Sequence, residues 1–187
     1  MNVPLDTLDV ISSARLDLVL LPPAFLEASL SGDSEAAARW LGMPVPSEWL
    51  EKRWLMQYRL NQLRDDPTVE PWLLRAVILR DTRVMVGHAG FHSQPGDANL
   101  GPYVSHGVEI GYTVYPSFQK RGYATEVCAA LMEWALQKQP LVRFVVTIRP
   151  DNEPSQRIAR RFGFEKVGSK MDERDGVEDI LILPQGL

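Results

Sequence analysis

The residues whose types and spacing best suit a chemical role are Gln-Lys-Arg-Gly-Tyr-Ala at positions 119–124, a cationic stretch with a central glycine. They lie between a strand-like segment and a helix-like segment. The first N–H groups of a helix have no intrahelical partner and carry partial positive charge, so they attract anions. Gly122 lets a phosphate approach the backbone, and Lys120 and Arg121 add formal charge. The stretch predicts an anion-binding turn or, alternatively, a cationic surface turn before an amphipathic helix.

The strand-like segment before this turn, residues 109–114, carries one carboxylate in an unusual setting. Alternate residues of a strand share a face, and the even-numbered positions here are apolar, which is typical of a core face. The other face carries Glu109, Gly111 and Thr113. This face leaves open space beside the acid, as a cleft wall does. Glu109 is therefore a candidate functional carboxylate or, alternatively, a strand-edge carboxylate paired with an arginine.

Alternating strands and helices must position these residues. Period-two apolar patterns indicate strands, and i, i+3, i+4 spacing indicates helices. The predicted strands are 16–20, 73–79, 84–91, 109–114, 142–148, 164–168 and 179–183, and the predicted helices are 25–30, 35–41, 47–63, one after 124 and one from about 152. A long loop is expected at 92–107 and a charged loop at 171–176. This order predicts a mixed α/β (α+β) domain with a largely antiparallel sheet.

Composition limits the class of protein. The chain has 187 residues, a formal net charge of −4 and one cysteine. The length suits a single domain, 1–187, with residues 1–10 as a tail. Mild negative charge argues against a nucleic-acid partner, and no apolar stretch reaches the roughly 20 residues of a membrane span. The single cysteine, Cys128, is typical of the reducing cytoplasm, and its place on an apolar helix face indicates core packing.

Motifs for other chemistries are missing from the sequence. G-x-x-x-x-G-K-[ST] and G-x-G-x-x-G do not occur, so a P-loop or a dinucleotide-binding fold has no support. His88, His92 and His106 lack the spacing of a metal site, and no metal is expected. His106 lies near Glu109 in the sequence, where it can assist proton transfer or be a loop histidine without a role.

Residues 108–168 resemble the GNAT superfamily of acyl-CoA-dependent N-acetyltransferases. The stretch 119–124 matches the [Q/R]-x-x-G-x-[G/A] signature, and the preceding Glu-Ile-Gly-Tyr and the following Thr-Glu are also typical. Asn-Glu-Pro-Ser at 152–155, followed by Gly-Phe at 163–164, resembles the later N-x-x-[S/A] … G-F segment. Ala-Arg-Leu at 14–16 resembles the first strand of the branch that includes ribosomal-protein N-terminal acetyltransferases.

The resemblance implies a GNAT fold, which is a single mixed, mostly antiparallel twisted sheet flanked by helices and splayed between the strands near 108–114 and 142–148. It also implies acetyl-CoA as the cosubstrate, with the pyrophosphate on the turn and the pantetheine arm along the strand edge. The residues it assigns to coenzyme A are Tyr112, Thr113, Val114, Gln119, Lys120, Arg121, Gly122, Tyr123, Ala124, Thr125 and Asn152.

The catalytic roles follow from what acyl transfer to an amine requires. A proton must leave the nitrogen, which makes Glu109 the candidate general base, acting through a water. A carboxylate with a reference pKa of about 4.3 is a weak base unless burial raises that pKa. Many members place a tyrosine where Ala159 stands, to protonate the departing thiolate. Ser155 is the candidate in its place, with helix capping as the alternative, and Asn152 can cap that helix, contact the cofactor or do both.

We therefore expect an N-acetyltransferase that moves an acetyl group from acetyl-CoA to a primary amine by direct attack. The amine belongs to a peptide N-terminus or a small molecule, and neither nucleic acid nor a membrane is expected as a partner. A monomer or homodimer in the cytoplasm is expected. Alternatively, the chain is a non-catalytic acyl-CoA-binding or sensing module of the same fold, or an enzyme with another acyl donor.

Overall fold

The structure is a computed structural model that describes residues 9–184. Its strands are β1 Val10–Ser12, β2 Leu16–Leu20, β3 Arg75–Leu79, β4 Met85–Phe91, β5 Gly107–Val114, β6 Arg143–Ile148, β7 Glu165–Asp172 and β8 Gly176–Ile182. Its α-helices are α1 Pro23–Ser31, α2 Ser34–Leu41, α3 Ser47–Leu50, α4 Arg53–Asp65, α5 Tyr123–Lys138 and α6 Glu153–Phe162. The predicted class, a mixed α/β fold with mostly antiparallel strands and flanking helices, is confirmed. Of the predicted tail, residues 1–8 lie outside the described residues, and Val10 already belongs to β1.

The described residues form two compact units. The first comprises the residues up to Gly90 together with Tyr112–Leu131. The second comprises Phe91–Gly111 and the residues from Met132 onwards. The two parts of β5 therefore contribute to different units, and so do the two parts of α5.

The first unit is built on antiparallel pairing of β1 with β2, β2 with β3 and β3 with β4. Its core includes Trp49, which is fully buried and donates its indole N–H to Ser29 Oγ at 3.0 Å. The predicted helix 47–63 is two helices, α3 and α4. The chain breaks between them where the Lys52 N–H bonds to Trp49 O at 2.8 Å, an i→i+3 turn. Apolar spacing alone does not reveal such a one-turn break, because Trp49 and Met56 stay buried on either side of it.

The second unit contains the splay that the family resemblance implies. β5 pairs with β6 in parallel, and this register runs only from Gly107 to Glu109. β6 pairs with β8, and β8 pairs with β7, in antiparallel fashion. Within this unit, the register therefore leaves Ile110 and Gly111 of β5 without partners on β6, which is consistent with the expected gap.

The charged segment 171–176 is a tight hairpin turn rather than a loop. β7 extends to Asp172, and β8 begins at Gly176. The Asp172 carboxylate accepts hydrogen bonds from the N–H groups of Arg174 and Asp175 at 2.8 and 2.9 Å. Because both strands are largely exposed at this end, charged side chains extend into solvent while the backbone pairs, so charge was a poor indicator of a loop here.

Candidate active site

The turn before α5 has the backbone geometry of an anion site. Lys120 and Gly122 have positive φ angles of 61° and 81°. The Glu126 N–H donates to Gly122 O at 3.1 Å, so the N–H groups of Tyr123, Ala124 and Thr125 precede the first i→i−4 bond of α5. A Cβ at Gly122 would meet only Arg15 Nη2, at 3.5 Å, which shows how open this backbone is. Helix N–H donors that precede the first intrahelical bond, next to a glycine, are groups suited to binding a phosphate.

Two side chains of the turn support its backbone. Gln119 donates its Nε2–H to Val114 O at 3.0 Å, which links the turn to the end of β5. Arg121 donates to Ser117 O at 3.2 Å, and its guanidinium lies 5.7 Å from the centroid of Phe118. Because Gln119 and Arg121 bind neighbouring groups of the chain, they act on the turn's shape, whereas Lys120 is exposed.

Arg15 and Glu126 form a brace behind the turn that sequence reasoning missed. The Arg15 guanidinium donates to Glu126 at 2.7 Å and to Arg121 O at 3.0 Å. It also lies 4.7 Å from the centroid of the Tyr123 ring. The Ser13 hydroxyl and the Arg15 N–H both donate to Glu126 Oε1 at 2.7 Å. Burial raises the pKa of Glu126, but these hydrogen bonds and the Arg15 charge outweigh it, so the pKa is lowered.

Tyr112, Thr113 and Val114, the residues expected to bind pantetheine, form the end of β5. Tyr112 and Thr113 are half-buried, and Val114 is buried. The Thr113 carbonyl lies against β4, where a Cβ at Gly87 would come within 2.1 Å of it. Gly87 is therefore required for this close approach of the two backbones.

Glu109 is 6% exposed and is the centre of what we call the Glu109 cluster, formed with His92, Thr147, Lys170 and Glu178. His92 Nδ1 lies 3.1 Å from Glu109 Oε1, and the Thr147 hydroxyl donates to the same oxygen. Lys170 Nζ lies 3.8 Å from Glu109 Oε2 and 3.7 Å from Glu178 Oε2. The partners of Glu109 are thus a histidine, a hydroxyl and a lysine, in place of the arginine considered as an alternative.

These partners determine the charge state of Glu109. Burial raises the pKa of the carboxyl, but the charge and hydrogen bond of His92, the hydrogen bond of Thr147 and the charge of Lys170 together lower the pKa to about 2. Glu109 is therefore an anion at neutral pH. The raised pKa that would make it a strong direct base is not found. Burial is the largest single effect in Glu178 too, but there it outweighs the charge of Lys170 and the pKa is raised.

The start of α6 separates the roles of Asn152 and Ser155. Asn152 is the N-cap, since its side-chain oxygen accepts the Ser155 N–H at 3.3 Å. Ser155 is therefore not the capping residue, and its side chain is half-buried. Ala159 is buried on the inner side of the helix, at the position where a tyrosine is usual in the family. Gly163 ends α6 with φ 84°, and the Phe164 N–H bonds back to Ala159 O at 3.0 Å.

The remaining histidines, His88 and His106, and the single cysteine, Cys128, are not members of the Glu109 cluster. His106 is exposed, with φ 55°, and among the described residues no ion pair or hydrogen bond joins its side chain to Glu109. His88 is buried in the first unit. Cys128 is buried as expected, and burial raises the pKa of its thiol to about 12. Within residues 9–184, no cluster of three or more His, Cys, Asp or Glu side chains is arranged to hold a metal ion.

No helix in the described part of the chain has the length and apolar content that crossing a membrane requires.

Comparison with known proteins gives one family. Residues 16–165 match the family model of the acetyltransferase (GNAT) domain. The uncharacterized N-acetyltransferase YnaD of Bacillus subtilis (strain 168) is 34% identical over 92 residues, which is 49% of this chain and 49% of YnaD. The chain thus aligns with about half the length of this relative.

Solved structures show the same fold. A protein of Bordetella pertussis described as a GnaT-family acetyltransferase superposes with a TM-score of 0.65 at 23% identity, covering 94% of this chain and 99% of that one. RimL, a ribosomal L7/L12 alpha-N-protein acetyltransferase solved in complex with coenzyme A, superposes with a TM-score of 0.58 at 18% identity, covering 93% of this chain and 96% of RimL.

Proposed function

This chain belongs to the acetyltransferase (GNAT) domain family, and from that premise we propose that it transfers the acetyl group of acetyl-CoA to a primary amine. The observation that carries the proposal is the turn at 119–125. Its donors are free of intrahelical partners, its glycine leaves the backbone open, and the Arg15–Glu126 brace supports it from behind. A pyrophosphate is an anion of the size and charge that such a turn binds.

Coenzyme A would use the residues that the family motif assigns. The backbone of Arg121 to Thr125 would bind the pyrophosphate, with Lys120 adding charge from the exposed side. Gln119 would keep the turn in place through its bond to Val114 O. The backbone of Tyr112, Thr113 and Val114 would bind the pantetheine arm. Asn152 is proposed to cap α6 and to contact the cofactor.

Glu109 and Ser155 are the proposed catalytic residues. Glu109 assists removal of a proton from the amine. Because its pKa is low, a group that lies between the carboxylate and the amine and carries the proton is favoured over direct contact. Ser155 is proposed to assist the departing thiolate, which Ala159 cannot do. The half-buried position of Ser155 one turn into α6, with its backbone N–H already capped by Asn152, supports a role for the hydroxyl other than capping.

The acceptor is proposed to be a primary amine on a peptide N-terminus or a small molecule. The name of RimL, which acts on ribosomal L7/L12, supports the first class by analogy. We further propose that the protein is one domain, works in the cytoplasm as a monomer or homodimer, and needs no metal.

A non-catalytic acyl-CoA-binding module is the second candidate, because Ala159 replaces the usual proton donor. Thiol release from acetyl-CoA against a panel of amines and N-terminal peptides separates the two. Thiol release that depends on one class of amine supports the transferase. Coenzyme A binding by calorimetry without thiol release for any amine supports the binding module, and no binding at all contradicts both.

A further inference from the structure

His92, the residue after the end of β4, faces Glu109 of β5 and is joined to it twice. The His92 N–H donates to Glu109 O at 2.9 Å, so the two backbones meet at these residues. Their side chains meet as well, with His92 Nδ1 3.1 Å from Glu109 Oε1. The backbone bond fixes the distance between the two Cα positions, and the side-chain contact then fixes the imidazole ring.

Gly111 holds the other side of the imidazole. A Cβ built on Gly111 would lie 2.6 Å from His92 Nε2 and 3.1 Å from His92 Cδ2. Any larger residue at this position would therefore displace the ring. The glycine expected to leave space beside Glu109 in fact leaves space for His92. The His92 side chain is nevertheless 44% exposed, so a substrate can reach it.

We propose that His92 takes the proton from the acceptor amine at Nε2, and that Glu109 is a positioning residue that holds the Nδ1–H of His92. This inference rests on the proposed transfer of an acetyl group to an amine and identifies the intermediary between Glu109 and that amine. A carboxylate that accepts a hydrogen bond from one ring nitrogen of a histidine selects the tautomer in which the other nitrogen is a proton acceptor. It also stabilises the imidazolium that forms.

The charges around His92 favour this division of roles. His92 contacts the carboxylate of Glu109 on β5, which is also bound by the hydroxyl of Thr147 on β6 and lies near Lys170 on β7; Lys170 in turn lies near Glu178 on β8. The pKa of Glu109 is lowered to about 2, so the carboxylate stays an anion at neutral pH and takes up a proton poorly. A carboxylate in this state is suited to hold an imidazolium.

The proton balance is simple. The acceptor ammonium gives one proton to His92 Nε2, and its lone pair then forms the N–C bond as the C–S bond of the thioester breaks. The second proton leaves the nitrogen and ends on the coenzyme A thiolate. The imidazolium of His92 returns its proton to solvent, so one proton is released per acetyl group transferred.

The test compares His92→Asn, which can keep a donor near Glu109 but cannot act as a base, with His106→Asn, an exposed histidine outside the cluster. The kcat and kcat/KM for the best amine of the panel are measured against pH, with coenzyme A affinity and the melting temperature as controls. We expect His92→Asn to lower kcat at least about 100-fold at unchanged coenzyme A affinity, and to abolish the ionisation seen in wild type between about pH 5 and 8. His106→Asn should match wild type.

In Glu109→Gln the ionisation should remain but move to lower pH, because the imidazolium loses its anionic partner.

The exposure of His92 permits chemical rescue. Added imidazole should restore part of the activity of His92→Ala in proportion to its concentration, and should leave Glu109→Gln unchanged. Gly111→Ala, which leaves His92 in place but displaces its ring, should also lower kcat, and it tests the inference if the His92 variants fail to fold.

Three results would overturn the inference. The first is a His92→Asn enzyme with wild-type kcat and pH profile alongside an inactive Glu109→Gln, which would assign proton removal to Glu109 through a water. The second is a wild-type pH profile of kcat and kcat/KM that shows no ionisation between about pH 5 and 8, a measurement that requires no variant. Wild type that releases no thiol with any amine would refute the proposed function itself, and the inference with it.

Discussion

Arg15 and Glu126 lie 111 residues apart in sequence, yet the guanidinium of one meets the carboxylate of the other at 2.7 Å behind the turn that starts α5. The same guanidinium donates to Arg121 O at 3.0 Å, inside that turn. Arg15 therefore links the start of β2 to both the first helical turn and the loop before it. Backbone N–H groups bind a phosphate well only when they are held in one orientation, so this brace bears directly on cofactor affinity.

Arg15→Ala should weaken acetyl-CoA binding without a comparable loss of kcat. The side chain is half-exposed, so we expect an effect of about 1 kcal/mol, or roughly fivefold in the KM for acetyl-CoA. Arg83→Ala is a matched control, since its guanidinium is similarly exposed and pairs with Asp17, which is not part of the brace. Steady-state kinetics with varied acetyl-CoA measures the difference. An equal KM in the two variants would contradict a role for the brace.

Gly122→Ala should weaken acetyl-CoA binding more than its cost in stability explains. Gly122 has φ 81°, a region where an L-residue costs about 1 kcal/mol, and the added methyl would lie 3.5 Å from Arg15 Nη2, in the brace that orients the turn. We expect the KM for acetyl-CoA to rise about tenfold. Gly32→Ala provides the comparison, because Gly32 has φ 84° at the end of α1 and no atom within 4 Å of an added Cβ. Both variants should lose similar stability in urea unfolding, and a similar KM in both would contradict the prediction.

Features set by local sequence were predictable. The turn before α5, the cap residues of α6 and the burial of Cys128 each depend on residues within about one helical turn, so the types and spacing of those residues were enough. The splay between β5 and β6 was accessible only through the family resemblance, and the parallel register that ends at Glu109 required the fold.

Contacts between distant segments were not predictable. His92 falls in the predicted loop 92–107, and Lys170 lies beyond the predicted strand 164–168. The His92–Glu109 backbone bond and the pairing of β5, β6, β8 and β7 bring both residues to Glu109. The sequence offered no sign of this, since neither residue has a motif around it. The pKa of Glu109 depends on those same partners, so its direction required the fold.

Ser155→Ala should slow the chemical step while leaving stability almost unchanged. Asn152, not Ser155, caps α6, so removal of the Ser155 hydroxyl should alter the free energy of unfolding by less than about 0.5 kcal/mol. If the hydroxyl assists the thiolate, the single-turnover rate should fall roughly tenfold. Asn152→Ala is the contrasting variant and should lose about 1 kcal/mol of stability through the missing cap. A Ser155→Ala rate equal to that of wild type would exclude the acid role.

His88→Leu should remove a pH-dependent loss of stability. Burial, assisted by the charges of Lys52 and Arg59, lowers the pKa of His88 to about 4, and its Nδ1 has no hydrogen-bond partner within the described residues. The unfolded chain takes up a proton on this histidine below about pH 6.5, whereas the folded chain does so only near pH 4, so the free energy of unfolding should fall by up to about 3 kcal/mol as pH drops through that range. Urea unfolding at about pH 7 and about pH 4.5 should show this loss in wild type and in His106→Asn, and a much smaller loss in His88→Leu. An identical pH dependence in all three proteins would mean that His88 is charged in the folded state.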